Sequence, residues 1–155
     1  MLIRDVLDKK GTDVVTIGGE RTLHDAVGLL NQHGIGALVV TGAGGQIEGI
    51  LTERDILRLC GEFRLFLAGS SESDSETVPP FVRDVMTRDV VVGVPEDRVD
   101  YVMNVMTAKR IRHLPIVQEG RLAGMISIGD VVNAQVVEAE FEARMLRDYV
   151  QGRTY

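Results

Sequence analysis

The chain has 155 residues, of which 45% are hydrophobic, and a formal net charge of −6. This length can bury one core or two small ones, while the acidic balance argues against a nucleic-acid partner, which would require a basic face. No apolar run could span a bilayer and the N-terminus lacks the features of a signal peptide, so we expect a cytoplasmic protein without a membrane partner.

The first half of the chain predicts the order strand, helix, strand, strand, helix. Apolar residues recur at helical spacing in its first helix, and Gly34 follows where a left-handed residue can end a helix. Glycines within 42–45 predict a tight hairpin rather than a phosphate loop, because neither a helix nor Gly-Lys-Ser/Thr follows them. The predicted bounds are 13–17, about 22–33, 37–41, 47–51, and 52 to about 61.

The second half of the chain repeats the first. Gly-Ile-Leu-Thr-Glu-Arg-Asp at 49–55 returns as Gly-Met-Ile-Ser-Ile-Gly-Asp at 124–130, and other segments return in the same order. The second copy therefore predicts the same elements. Their bounds are 90–94, about 98–110, 114–117, 122–126, and a helix that begins at Ser127.

Two further segments surround the second copy. The stretch 69–76 is polar, acidic and almost free of apolar residues, which is typical of a mobile linker, and the apolar residues at 63 and 65–67 predict local packing. The tail at 133–149 predicts an amphipathic helix that either closes the core or pairs with another subunit. Its apolar stripe is Val137, Phe141, Met145 and Tyr149.

A hydroxyl and an aspartate stand three residues apart at the start of each second helix. Thr52 with Asp55, and Ser127 with Asp130, fit a capping box. The same helix start directs free N–H groups and a positive dipole end outward, as anion sites do. Both roles remain open and can coexist, since the hydroxyl could donate to a phosphate while the aspartate accepts from a ribose diol.

The duplicated element order and the Gly-x-x-Ser/Thr-x-x-Asp ending, with the motifs at 83–87 and 112–116, resemble the cystathionine-β-synthase (CBS) domain. Two such repeats in tandem form a Bateman module, and the resemblance covers about 3–132. It implies an α/β (α+β) fold in which two β-α-β-β-α repeats pack with pseudo-twofold symmetry through their sheets. The predicted domains are repeat 1 at 1–62, a partly disordered linker at 63–80, repeat 2 at 81–133 and an amphipathic helix at 134–155.

The resemblance also implies a stand-alone regulatory sensor rather than an enzyme. Family members bind adenine nucleotides (AMP, ADP, ATP or NAD(H)) or S-adenosyl compounds in clefts between the repeats. Signalling would follow from a conformational or dimer rearrangement that acts on an unknown protein target. The implied assembly is a homodimer or a dimer of dimers, with no catalytic cofactor.

The two predicted clefts differ in their residues. Gly36 and Ala37 leave room for an adenine, or equally for a close strand–helix contact, whereas Arg112 and His113 at the matching positions suit a phosphate. Arg54 could reach a phosphate or stay solvated, so we predict the better site in the first copy. The residues expected to contact ligand are Thr16, Ile35, Gly36, Ala37, Thr52, Glu53, Arg54 and Asp55, and in the second copy Arg112, His113, Pro115, Ser127 and Asp130.

Other functions remain as alternatives. One is a nucleotide-free assembly protein that dimerises through the repeats and the C-terminal helix. Another is an oxidoreductase related to inosine-monophosphate dehydrogenase, although the chain lacks the length of a (β/α)₈ barrel. Lys9 and Lys10 are either an exposed pair or a contact to a second phosphate. Cys60, a lone cysteine that fits a reducing compartment, and the three histidines show no metal-ligand spacing, so no metal site is predicted.

Overall fold

A computed structural model describes residues 1–63 and 80–152 of the chain, so the predicted linker at 69–76 and the apolar residues 65–67 lie outside the described residues. The described part is a mixed α and β structure. In chain order its elements are α1 (Ile3–Lys10), β1 (Thr16–Gly18), α2 (Leu23–His33), β2 (Ala37–Thr41), β3 (Ile47–Thr52), α3 (Glu53–Phe63), α4 (Val82–Val85), α5 (Val99–Lys109), β4 (His113–Gln118), β5 (Arg121–Ser127) and α6 (Ile128–Val150).

These elements form two compact units that differ from the sequence repeats. The central unit comprises Val14–Val90, and the terminal unit comprises Met1–Asp13 with Val91–Tyr155. The helix that begins the first repeat, α1, thus belongs to the unit of the second repeat, and α4 belongs to the unit of the first. Neither short helix is predicted by the sequence, because a single turn or two gains its stability from tertiary packing rather than from propensity.

The central unit is built on a three-stranded sheet in the order β1-β2-β3. Strand β2 pairs parallel with β1 and antiparallel with β3, and α2 packs against the sheet. Gly34 ends α2 in the left-handed conformation, with φ 61° and ψ 39°, as the sequence predicts. Val82 and Met86, at and just after α4, are buried in this core. The other buried core residues are Ile17, Ala26, Leu30, Leu38, Val40 and Leu51.

The terminal unit has a two-stranded antiparallel sheet, β4-β5, rather than three strands. The strand predicted at 90–94 is reduced to one parallel bridge between Gly93 and Ile116. Two backbone bonds form this bridge, from Gly93 N–H to the Pro115 carbonyl and from Val117 N–H to the Gly93 carbonyl. Extending the parallel ladder would need an N–H from Pro115 on one side of the bridge and from Pro95 on the other, and proline has none.

Helix α6 joins two predicted segments into one. The helix that the sequence starts at Ser127 and the amphipathic tail predicted from 133 are a single helix of 23 residues, with Ser127 as its N-cap. Its first turns bury Val131 and Ala134 in the core of the terminal unit, where α1 contributes Ile3 and Leu7. No helix among residues 1–63 and 80–152 combines the length and apolarity that crossing a membrane requires.

Candidate functional site

Most of the residues predicted in the first copy meet at one edge of the central sheet. Ala37, which begins β2, pairs with Thr52, which ends β3. The Glu53 N–H donates to the Gly36 carbonyl at 3.0 Å, which fixes the first residue of α3 beside the start of β2. Thr16 begins the parallel neighbour β1 near the same edge. The hairpin end and the N-terminus of α3 are therefore held together by the backbone.

The second copy reproduces this backbone arrangement in the terminal unit. His113 pairs with Ser127 across β4 and β5. The Ile128 N–H donates to the Arg112 carbonyl at 2.9 Å, which matches the bond between Glu53 and Gly36. Pro115 lies two residues further along β4 and is buried. The duplication seen in the sequence is thus also a duplication of hydrogen-bond geometry.

Asp55 is a buried, fully engaged carboxylate with only 6% of its surface exposed. Its Oδ2 accepts from the Thr52 N–H at 2.9 Å and from the Thr52 hydroxyl at 3.0 Å. Its Oδ1 accepts from the Thr87 hydroxyl at 3.3 Å, and the Arg58 guanidinium lies 3.8 Å away. A buried charge needs such partners. The capping role is therefore filled, and a ribose would compete with Thr87 and Arg58 for Oδ1.

Asp130 has the same cap but a different third partner. Its Oδ2 accepts from the Ser127 N–H at 2.7 Å and the Ser127 hydroxyl at 2.9 Å, and it pairs with the Lys10 ammonium at 2.5 Å. Its side chain is 22% exposed. Burial raises the pKa of Asp130, but hydrogen bonds from Lys10 and Ser127, with the Lys10 charge, outweigh burial and hold the pKa below its ordinary value. Asp130 is thus the more accessible of the two aspartates.

A cavity of about 260 Å³ lies beside Asp130 within the terminal unit. Lys9, Lys10 and Asn133 supply its polar side, and the Lys10 ammonium also donates to the Met125 carbonyl at 3.0 Å. This volume lies just below the roughly 300–1,000 Å³ that ligand pockets commonly enclose. The remaining lining residues are Met1, Val6, Ala134 and Val137.

A wider groove of about 540 Å³ runs between β1 and α2 of the central unit. Thr16 lines this groove, but the aspartate and hydroxyl at the start of α3 do not. Glu20 and Asp25 place negative charge along it. A hydrogen bond from Arg21, then bonds from the Thr22 N–H and hydroxyl, lower the pKa of Asp25 to about 2, so it stays ionised. Arg21 also lines the groove and offsets Asp25, so Glu20 leaves a net negative charge that disfavours a phosphate.

The side chains of the remaining predicted residues differ in burial. Ile35 packs against the core of the central unit, while Arg54 and Arg112 are exposed and His113 is half-buried. Sequence reasoning missed Thr87, whose separation from Asp55 by 32 residues gives no local signal. The sequence allowed Lys10 to be either an exposed residue or a contact to a second phosphate. In the structure Lys10 pairs with Asp130. Among the described residues, no group of three His, Cys, Asp or Glu side chains could hold a metal ion.

Known proteins resemble this chain in sequence and fold. A family model described as the CBS domain matches residues 3–62 and 82–137. The CBS domain-containing protein CBSX3, mitochondrial, of Arabidopsis thaliana is 37% identical over 158 residues, which cover 97% of this chain and 72% of that protein. The crystal structure of the CBS-domain containing protein ATU1752 from Agrobacterium tumefaciens is 40% identical, with a TM-score of 0.75 over 87% of this chain and 99% of that chain.

Two more distant relatives are a structure with a bound nucleotide and an enzyme. The crystal structure of CBSX2 in complex with AMP shares the fold at 23% identity, with a TM-score of 0.68 over 89% of this chain and 98% of that chain. An inosine-5'-monophosphate dehydrogenase of Methanocaldococcus jannaschii is 29% identical over 121 residues, which are 77% of this chain but 21% of the enzyme. The part shared with the enzyme is therefore a small fraction of it.

Proposed function

The chain belongs to the CBS domain family, and from that premise we propose that it is a regulatory module that binds an adenine nucleotide and has no chemistry of its own. One observation carries the proposal. In each copy a hydroxyl and an aspartate lie at a helix N-terminus beside the end of a hairpin, and matching backbone hydrogen bonds hold the helix to the hairpin. The AMP complex of the distant relative CBSX2 makes an adenylate the first ligand to test.

In the proposed complex, the helix N-terminus binds the phosphate of the nucleotide and the aspartate binds its ribose. The N-terminus of α3 or α6 offers a positive dipole end to a phosphate. Arg54 and Arg112, both exposed, add cationic forks near these helix starts. The aspartate of each motif accepts from the ribose diol. A site of this kind recognises the nucleotide by its phosphate and sugar and leaves the base to the neighbouring strand ends.

The proposed signal arises from the third partner of each aspartate. Within the central unit, Asp55 accepts from Thr87, which follows α4. Within the terminal unit, Asp130 pairs with Lys10, the last residue of α1. A ribose that takes one carboxylate oxygen would weaken these contacts, and it would shift the equilibrium by the difference in its affinity for the two states. Ligand binding is thereby coupled to the segments that begin the two repeats.

The test is a calorimetric titration of the full chain with AMP. We expect Asp55→Asn, which keeps an oxygen for the Thr52 cap, and Asp130→Asn to weaken binding at their own sites by tenfold or more. Asp89→Asn, an exposed residue outside both motifs, serves as the matched control. Melting with AMP, ADP, ATP, NAD(H) and S-adenosylmethionine then identifies the ligand. A melting temperature that none of them raises would contradict nucleotide binding.

The choice between the two sites is a separate part of the proposal. The small residues Gly36 and Ala37 still favour the first copy for an adenine, whereas the exposed Lys9 and Lys10 beside the half-buried Asp130 favour the second for a phosphate. We propose that the first copy binds more tightly only if Thr87 is displaced. Removing the Thr87 hydroxyl with Thr87→Val should then increase affinity for AMP, and unchanged affinity would count against competition at Asp55.

A further inference from the structure

The end of α5 carries a cationic segment in a chain whose net charge is −6. Lys109, Arg110 and Arg112 are close together in sequence and all exposed. No carboxylate lies along the chain between Asp100 and Glu119. Asp100 is in the first turn of α5 and Glu119 is in the turn between β4 and β5, so both lie at the far ends of the elements that flank the segment. The sequence thus gathers positive charge at one end of the terminal unit.

Arg110 also has a backbone conformation that favours glycine. It follows the last residue of α5 with φ 54° and ψ 40°, whereas Gly34 holds the matching place after α2 with φ 61° and ψ 39°. A residue with a β-carbon is disfavoured in this left-handed region relative to glycine. The dipole of α5 does not require the arginine, because Lys109 already supplies a cation in the last turn. A strained arginine where glycine would fit points to a use for its side chain.

Backbone hydrogen bonding places this segment beside the start of α6. The Arg112 carbonyl accepts from the N–H of the first residue of α6 at 2.9 Å. Ile111 packs against the core of the terminal unit, whereas Arg110 and Arg112 on either side of it are exposed. The Lys10 ammonium lies at the same helix start, where it pairs with Asp130. Cations from two separate segments of the chain therefore meet at the helix N-terminus that is proposed to bind a phosphate.

The two copies differ in charge at these positions. In the second copy the residues are all cationic, namely Lys9, Lys10, Lys109, Arg110 and Arg112. In the first copy the matching residues are Arg88, Asp89, His33, Gly34 and Gly36. The carboxylates nearest in sequence to the lysines are Asp13 and Asp8, and Asp8 projects from the opposite side of α1 from Lys10. Because attraction to a group of cations grows with the charge of the anion, the second copy suits a ligand with more than one phosphate.

We propose that the second copy binds a nucleoside diphosphate or triphosphate in preference to a monophosphate, and that Arg110 and Arg112 contact the outer phosphates. This inference rests on the proposed function and specifies the ligand class at one of its two sites. Arginine suits the role because its planar guanidinium donates two parallel hydrogen bonds to phosphate oxygens. The first copy, with Gly34 and Gly36 at these positions, has no such preference.

The test is a calorimetric titration of the full chain with AMP, ADP and ATP in magnesium-free buffer. We expect ATP to bind about tenfold more tightly than AMP at one site, which is the scale of one added hydrogen bond to a charged group. Arg110→Gly should remove most of this preference and leave the affinity for AMP unchanged, and Arg112→Gln should act in the same direction. The control is Arg121→Gln, which removes the same charge from an exposed position at the other end of β5 and should leave the preference intact.

The Arg110→Gly variant keeps the fold, because glycine suits φ 54° better than arginine does. Its melting temperature without ligand should therefore equal or exceed that of the parent.

The outcomes separate this inference from the proposed function. If AMP and ATP bind equally well, or if both arginine variants leave a preference for ATP intact, the inference is wrong and nucleotide binding stands. An equal loss of affinity for AMP and ATP in Arg110→Gly would also overturn it, because Arg110 would then act on the whole site rather than on the outer phosphates. If none of the three nucleotides binds, the proposed function is wrong and the inference is wrong with it.

Discussion

The glycine that opens each repeated motif is predicted to serve packing rather than ligand binding. Gly124 lies in β5 beneath Leu7 of α1, and a Cβ at this position would stand 2.7 Å from Leu7 Cδ2 and 3.0 Å from Cδ1. Leu7 is 4% exposed and belongs to the core of the terminal unit, so it cannot swing into solvent. Overpacking of this kind costs about 1–3 kcal/mol. We therefore expect Gly124→Ala to lower the free energy of unfolding by that amount.

A glycine-to-alanine substitution at an uncrowded helical position should instead raise the free energy of unfolding. A Cβ at Gly28, an exposed position in the middle of α2, would meet no heavy atom within 4 Å. Because glycine weakens a helix interior relative to alanine by about 0.5–1 kcal/mol, Gly28→Ala is expected to stabilise the central unit. Urea unfolding followed by circular dichroism measures both variants. A Gly124→Ala protein as stable as the parent would refute the packing argument.

The repeat supplies an internal check on this reasoning. Gly49, the equivalent of Gly124, lies beneath Met86, and a Cβ there would stand 2.5 Å from Met86 Sδ and 3.0 Å from the Thr87 carbonyl oxygen. Leu7 and Met86 occupy matching positions in the two copies. Each motif glycine thus lies beneath a side chain from the first segment of the other repeat, which explains its presence without a ligand.

Two other predictions concern the partners of the aspartates. Thr87→Val should cost about 1 kcal/mol of unfolding free energy, because it removes a hydrogen bond to the buried Asp55 carboxylate; no loss in urea unfolding would mean that Arg58 alone suffices. Because the folded state lowers the pKa of Asp130, the ionised carboxylate stabilises the protein at pH values above its ordinary pKa. This stabilisation is lost as the pH falls through the pKa of the folded state. We therefore expect Lys10→Met to lower the free energy of unfolding at pH 7, and to lower it progressively less below about pH 4. The control, Lys9→Met, should not lower it. If Lys10→Met lowered it equally at pH 2, the ion pair would be excluded as the cause.

The hydrogen bonds of the motif could be predicted because they are local. Thr52 with Asp55, and Ser127 with Asp130, are three residues apart, and a helix N-terminus brings such positions together whatever the rest of the chain does. The hairpins are local as well, and Gly34 needs only its own conformational freedom to end α2. The roles of these residues towards a ligand stay predictions.

Tertiary structure decided which distant residues complete each motif. Thr87 reaches Asp55 and Lys10 reaches Asp130 only because the segment that begins each repeat packs in the unit of the other. It also decided that the second copy has a single bridge at Gly93, since the missing N–H of Pro115 matters only once the two segments lie side by side.

Residue spacing within a few positions was enough to predict the duplication, the two hairpins and the two capped helix starts. It did not predict α1 or α4, or the reduction of the strand at 90–94 to one bridge. It also placed apolar residues along α6 without determining what covers them. The structure decided that Val131 and Ala134 face the core, while Phe141, Met145 and Tyr149 of the predicted stripe stay exposed. The physical reason is that burial depends on contacts between residues far apart in the chain, which no local spacing specifies.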